Sequence, residues 1–251
     1  MSEQSLSFIL APERGYNITI HATHGGKRYR MTHRLRAPQL EDWREFEKAL
    51  QVEVEEKITK EELQHENTNR LTHARLLLWG RLLESAEGYA CPAGGGDGDK
   101  ATAAKDVPPG HAVTAVTPLA EVYDWPAEEE GEAVGFPLMG TSEVVLQSPL
   151  SPGVRLVHRF RPPTAEEYAD YREKMSRTRV TTGLRSGTYK TRYPLKLEYQ
   201  VKLYDELFLD AEGYTLDGQT VTERETFVRA MDPWHKRIAV NLLMNQEAET
   251  E

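Results

Sequence analysis

The sequence predicts an α+β protein made of two tandem copies of a similar unit, each a β-hairpin packed with two to three helices. Three observations carry this. Arg30, His33, Arg34, Arg36, Pro38 and Glu41 return 125 residues later as Arg155, His158, Arg159, Arg161, Pro163 and Glu166. At the same spacing, and with no gap, Ala86-Glu87-Gly88-Tyr89 returns as Ala211-Glu212-Gly213-Tyr214. The stretches that carry these matches switch from period-two alternation to helical spacing of apolar residues, so strands precede helices in both halves. A third match, Val113 to Leu119 on Val228 to Trp234, requires a shift of ten residues.

The expected units are 1–128 and 133–251, divided near the charged, turn-prone PAEEEGE at 126–132. A flexible Gly/Pro/Ala-rich insert at about 91–111 in the first unit accounts for the shift.

Each unit opens on strand signals. YNITIHA, a Gly25-Gly26 turn and KRYRMTHRLR read as a hairpin, and SEVVLQ with VRLVHRFR reads as its counterpart. Alternation puts Tyr29, Met31, His33 and Leu35 on one face, with Arg28, Arg30, Thr32, Arg34 and Arg36 on the other. The second copy opposes Val154, Leu156, His158 and Phe160 to Arg155, Val157, Arg159 and Arg161. Pro38 and Pro163 stop the strands, and Thr164 with Glu167 has the spacing of a capping box that starts a helix. Trp43, Phe46 and Leu50, like Tyr168, Tyr171 and Met175, form an aromatic stripe for the sheet to cover. A second helix is expected through Leu71, Ala74, Leu78 and Leu82 to Gly88, read as its left-handed cap. LKLEYQVKL, at 195–203, is taken as the matching helix despite its period-two alternation. A short helix begins at Asp232-Pro233-Trp234 and runs through Ile238 and Leu242.

Composition narrows the classes of function. With 31 basic against 40 acidic residues the net charge is −9, which argues against general nucleic-acid binding. The opening MSEQSLSFILAPERG has neither a basic leader nor a long apolar run, so cytoplasmic synthesis without export or membrane anchoring is expected, with assembly into a particle as the variant. The lone Cys91 excludes an internal disulfide and any multi-cysteine metal site, and it has no local base to make it a nucleophile. No metal is expected at His21 and His24, and the glycine run at 94–98 lacks the Lys-Ser/Thr of a phosphate loop, so no cofactor or small-molecule substrate is identified.

Three readings follow. The first is a non-enzymatic assembly, adaptor or structural protein that binds a protein partner or itself. Its contact residues are the arginines at 30, 34 and 36, their equivalents Arg155, Arg159 and Arg161, and the basic segment carrying Arg177, Arg179 and Arg185. Residues 51–67 hold six Glu against two Lys, whereas 176–192 hold five basic residues and no acid; the two segments are electrostatic complements, read either as simple divergence of solvated surfaces or as contact between neighbouring molecules. The second is an enzyme with a site between the units that uses His33 and His158, although their place on the apolar face fits packed, hydrogen-bonded histidines better. The third is nucleic-acid contact through 176–192.

The Arg161-Pro162-Pro163-Thr164 phrase, which closes a hairpin and opens a helix, resembles the openings of small tail-assembly and tail-accessory proteins of bacteriophages and related injection particles. The resemblance covers about thirty residues of each copy and implies a non-enzymatic chaperone or structural adaptor. This chain differs from their single-domain form by being doubled, and no functional residue is carried over.

Overall fold

In the computed structural model of the protein the described residues are 8–10, 15–24, 26–51, 60–89, 107–124, 141–176, 180–183, 189–192, 195–216 and 218–245. The fold is mixed α+β. It comprises two compact units: an N-terminal one of Ala11–Ala120 with Thr178–Leu195, and a C-terminal one of Met1–Leu10, Glu121–Arg177 and Lys196–Glu251. Among the described residues no helix is long and apolar enough to cross a membrane.

The C-terminal unit includes the first strand, β1 (Phe8–Ile9). The N-terminal unit begins with β2 (Tyr16–His24) and β3 (Lys27–Leu35), an antiparallel pair running from Tyr16↔Leu35 to His24↔Lys27. Met31, His33 and Leu35 are buried while Arg28, Arg30 and Arg34 are exposed, as alternation requires. Then come α1 (Leu40–Leu50) and α2 (Lys60–Leu82), with Trp43, Phe46, Ala74, Leu78 and Leu82 fully buried.

Here the expectation of a helix reaching Gly88 is corrected. α2 stops at Leu82 and passes without a loop into β4 (Leu83–Glu87), which pairs antiparallel with β3 and completes a sheet ordered β2-β3-β4. The Leu82 carbonyl, which ends the helix, accepts from the Arg36 amide at 2.8 Å. Gly88 is therefore no helix cap. Its φ is +85°, and a Cβ there would lie 2.4 Å from the Arg30 carbonyl oxygen, so glycine lets the chain leaving β4 press against β3. The unit closes with α3 (Pro109–Ala120), and its second segment adds β8 and β9, introduced below.

The C-terminal unit has a similar hairpin, helix, helix and strand sequence, with additional strands and one more helix. β5 (Tyr123–Asp124), β6 (Ser142–Gln147) and β7 (Leu156–Phe160) are followed by α4 (Ala165–Ser176). The antiparallel hairpin β8 (Val180–Gly183) and β9 (Tyr189–Arg192) belongs to the N-terminal unit. α5 (Leu197–Leu207) then runs straight into β10 (Phe208–Glu212), and the sheet order is β10-β7-β6-β5. LKLEYQVKL is thus helical from Leu197, and the Leu207 carbonyl accepts from the Arg161 amide at 3.0 Å. Gly213 repeats Gly88, with φ +90° and a Cβ position 2.4 Å from the Arg155 carbonyl oxygen. β11 (Tyr214–Leu216) pairs in parallel with β1 and antiparallel with β12 (Gln219–Thr220). α6 (Arg224–Ala230) and α7 (Pro233–Met244) complete the unit, α7 capped by the Asp232 carboxylate, which accepts from the Trp234 amide at 2.7 Å. In the aromatic stripe Tyr171 is buried, but Tyr168 is 38 % exposed.

The third sequence match is also corrected. Val113 to Leu119 lies inside α3, whereas Val228 to Trp234 spans the end of α6, a break and the start of α7. α3 packs on α2 and α7 on α5, so the equivalent helices are PGHAVTAVTPLA and PWHKRIAVNLLM, related by 124 residues and sharing Pro, His, Ala, Val and Leu. The shift is one residue, not ten. Of the supposed insert, residues 91–106 lie outside the described residues, while Val107 is buried and Pro109 to His111 are helical.

Candidate functional site

The six arginines of the two stripes, of which Arg36, Arg155 and Arg161 lie just outside the strands, have different surroundings. Arg36 grips Asp42 with both ends of its guanidinium, at 2.7 and 2.8 Å, across the turn from β3 into α1. Asp42 also accepts from the Gln39 amide and from Arg81 Nε, each at 2.9 Å. Burial pushes that carboxyl upward, but the donors from Arg36, Gln39 and Arg81 outweigh it and hold it below the usual range. Arg161 does the same with Glu167, at 2.9 and 2.6 Å. Glu167 accepts from the Thr164 amide at 2.8 Å and donates its own amide to Thr164 Oγ1 at 3.2 Å, which is the anticipated capping box. The Arg161 hydrogen bond, then the Thr164 amide, bring Glu167 down to about 2. Arg36 and Arg161 therefore fasten a strand to a helix start.

The remaining four face outward, and the units differ. On the C-terminal sheet Arg159 meets three carboxylates, Glu143 at 2.7 Å, Asp210 at 2.9 Å and Glu212 at 2.6 Å, with exposed Arg155 beyond. On the N-terminal sheet Arg34 has Glu84 at 2.9 Å, and Arg30 makes no ion pair among the described residues. The strand facing them, β2, presents Asn17, Thr19, His21 and Thr23, with no acid. Arg30 and Arg34 line a shallow concavity of about 400 Å³ with Asn17, Thr19, Thr32 and Glu87. Arg177, Arg179 and Arg185, like Cys91, lie outside the described residues.

Behind each sheet is a buried histidine cluster. His33 is 0 % exposed. Its Nδ1 accepts from the Trp79 indole N–H at 3.0 Å, so the neutral ring carries its proton on Nε2 and donates to Tyr89 Oη at 2.9 Å. The Tyr89 hydroxyl then donates to His111 Nδ1 at 3.2 Å. His158, also 0 % exposed, lies between the hydroxyls of Tyr204 at 2.8 Å and Tyr214 at 2.7 Å. His235 of α7 packs beside Tyr214 with ring centroids 6.4 Å apart, and Phe8 of β1 lies 4.8 Å from the His235 ring. His33, Trp79, Tyr89 and His111 thus correspond in order to His158, Tyr204, Tyr214 and His235. Burial, then the neighbouring histidine, lowers His33 to about 4 and His158 to about 3; burial lowers His235 to about 4. These rings are neutral at pH 7, with both nitrogens of His33 and of His158 engaged.

Sequence reasoning missed His111 and His235. The available signal was the Pro-x-His-x₃-Ala-Val-x₂-Leu pattern shared by α3 and α7. No protein-family model, curated protein or solved structure matches the chain.

Proposed function

We propose that the chain is a non-enzymatic assembly or adaptor protein, and that the arginine face of its N-terminal sheet docks an acidic surface of a protein partner or of a second copy. The observation that carries this is the contrast between the two sheet faces. Arg159 is surrounded by three of its own unit's carboxylates, whereas its counterpart Arg34 meets Glu84 alone, and Arg30, exposed beside Arg28, makes no ion pair among the described residues although Glu87 lines the same concavity. Exposed guanidinium groups on a rigid strand present planar, bidentate donors at fixed spacing, and carboxylates are their natural complement. The role agrees with what the resemblance to phage tail-assembly proteins implies, and the contacts that recur at a constant spacing favour two copies of one unit. His33 and His158 make a poor acid–base pair for an enzyme, because each is buried with both ring nitrogens occupied.

Sedimentation velocity over a concentration series, at low and high salt, tests the proposal. Association that weakens with salt and is abolished by Arg30→Glu is expected. A strict monomer at about 100 µM that also cross-links to no partner would overturn it, since adaptor affinities fall in the micromolar range or tighter.

A further inference from the structure

β2 is the outer strand of the sheet ordered β2-β3-β4, and its nine residues run against β3 without a break in register. Among the described residues no strand covers its other edge, and Asn17 to His24 have no backbone hydrogen bond to any segment but β3. An open edge is a row of unpaired N–H and C=O groups on which another strand can form, and proteins blunt such rows with charge, proline, a bulge or shortness. The other described edges are blunted. β4 carries Glu84 and Glu87 and slips register at Glu84; β10 carries Asp210 and Glu212 and slips register at Leu209. In the C-terminal unit the edge of β6, the counterpart of β2, is covered by β5, itself two residues long and ending on Asp124. The edge strands of the two small sheets, β1, β12, β8 and β9, are two to four residues long. β2 reads YNITIHATH, with no Asp or Glu, no Lys or Arg and no proline.

The strand is complementary to itself. Asn17, Thr19, His21 and Thr23 are exposed on one face, while Ile20 is buried and Ile18 and Ala22 are half-buried on the other. In an antiparallel pair the residues directly opposite point to the same side, so two copies of β2 match their faces only when the two-fold axis passes through a residue rather than between two. Ile20 is the midpoint of the strand. An axis there sets Asn17 opposite the second copy's Thr23, Ile18 opposite its Ala22 and Thr19 opposite its His21. The apolar side chains then continue one inner layer and the polar ones meet outside. Because the other described edges are short, charged or bulged, the complement of β2 in another copy is β2 itself, and the contact closes at two.

We propose that two copies of this chain join edge to edge through β2, so that the three strands of each N-terminal sheet form one continuous sheet in the order β4-β3-β2-β2-β3-β4. The seam is made of main-chain hydrogen bonds, the contact of Ile18 with Ala22 and that of Ile20 with its own mate. Arg28, Arg30 and Arg34 of both copies then lie on one side of the joined sheet. The two β3 strands are three strand spacings apart, about 14 Å, which is beyond the screening length at physiological salt, so their repulsion does not oppose the seam. The proposal does not rest on the arginine docking above: that contact is electrostatic, whereas this one is made by backbone and apolar groups. Only two strands meet, so the interface is small and its affinity falls in the micromolar range.

Sedimentation velocity and amide exchange of the full chain test this. A monomer–dimer equilibrium is expected between about 1 and 100 µM, with a dissociation constant that changes less than about threefold from about 0.05 to 0.5 M salt. It should persist in Arg30→Glu, which removes the salt-weakened docking, so the two proposals fail separately. Over the same concentrations amide exchange should slow within 17–24 and not along β4. Thr19→Lys with His21→Lys sets like charges opposite each other across the seam while keeping the face positive. This pair should raise the dissociation constant at least about tenfold at an unchanged melting temperature. Thr19→Cys with His21→Cys, in a Cys91→Ser chain, should form a disulfide-linked dimer on oxidation, because opposed residues of paired strands lie within disulfide reach; Thr19→Cys alone should not. The proposal fails if the chain is monomeric at about 100 µM, which would leave the edge to a strand of another protein. It also fails if the lysine pair dimerises like the wild type, if the cysteine pair stays unlinked, or if a dimer forms without slowing exchange in 17–24.

Discussion

Mild acid should unfold this protein through its histidines before it reaches its carboxylates. In the unfolded chain each imidazole titrates near 6.5. In the folded chain burial lowers His158 to about 3, and His33 and His235 to about 4. Between these values and 6.5 the unfolded state binds more protons, so stability is full above pH 6.5 and falls as the pH drops toward 4. At pH 5 an unfolded imidazole is almost fully protonated and a folded one almost fully neutral, which costs about 2 kcal/mol per histidine. His33 charges that to the N-terminal unit; His158 and His235 together put about 4 kcal/mol on the C-terminal unit, a large share of a typical domain stability of roughly 5–15 kcal/mol. Glu167, at about 2, and Asp42, also lowered, contribute in the same direction at lower pH, below the unfolded carboxylate values. Urea denaturation at pH 8, 6.5 and 5, with amide exchange to separate the units, measures the loss. His158→Gln, which keeps a hydrogen-bonding side chain for Tyr204 and Tyr214, should shrink the loss by about 2 kcal/mol. Equal stability at pH 5 and pH 8, or an undiminished loss in His158→Gln, would refute the burial argument.

Three further predictions concern the frame. Gly213 and Gly153 both have positive φ, +90° and +80°, but a Cβ at Gly153 meets nothing within 4 Å, whereas at Gly213 it meets the Arg155 carbonyl. Gly153→Ala should cost about 1 kcal/mol from backbone strain alone and Gly213→Ala at least about 2 kcal/mol more; equal denaturation midpoints would mean that the close approach of strand and turn is absent. Thr164→Ala removes the hydroxyl cap of α4 and should cost about 1 kcal/mol by thermal or urea melting, with no loss if water replaces it fully. Tyr214→Phe leaves His158 Nε2 without its 2.7 Å partner and should cost about 1–3 kcal/mol at unchanged far-ultraviolet dichroism; a neutral substitution would deny that hydrogen bond.

What could be read from the sequence was local. The hairpins followed from alternation, the placing of His33 and His158 on the buried face from counting along a strand, and the starts of α4 and α7 from Thr164, Glu167, Asp232 and Pro233. What could not be read depended on partners far along the chain. β4 and β10 have modest strand character, and they become strands because β3 and β7 offer edges about fifty residues away. Gly88 and Gly213 were visible as special, but a glycine ending a helix and one admitting a neighbouring carbonyl look alike in one dimension. The arginine stripe was correctly placed on the polar face, yet alternation cannot say which guanidinium groups fold back onto a helix start. Arg36 and Arg161 do so because the carboxylate six residues on is brought beneath them by the proline turn. The histidine clusters draw on four separate segments, and the histidines of α3 and α7 were hidden by reading one match with a ten-residue shift.

The contacts that recur also indicate where function should be sought. In both units an imidazole on the central strand is held by an aromatic side chain from the helix behind it and by the tyrosine that follows the tight glycine. An arginine then ties the end of that strand to the next helix. Such interior contacts determine whether a unit folds, and their loss should appear as stability. The chemistry that fails to recur lies outside that frame: Arg159 is ringed by three carboxylates on one sheet, while on the other Arg34 meets Glu84 alone and Arg30 makes no ion pair among the described residues. Packing does not require these differences, because the corresponding unit packs without them. Substitutions there should change what the protein binds while leaving its unfolding midpoint nearly unmoved. Substitutions in the histidine clusters should do the reverse, and that separation of readouts allows the docking proposal to fail independently of the fold.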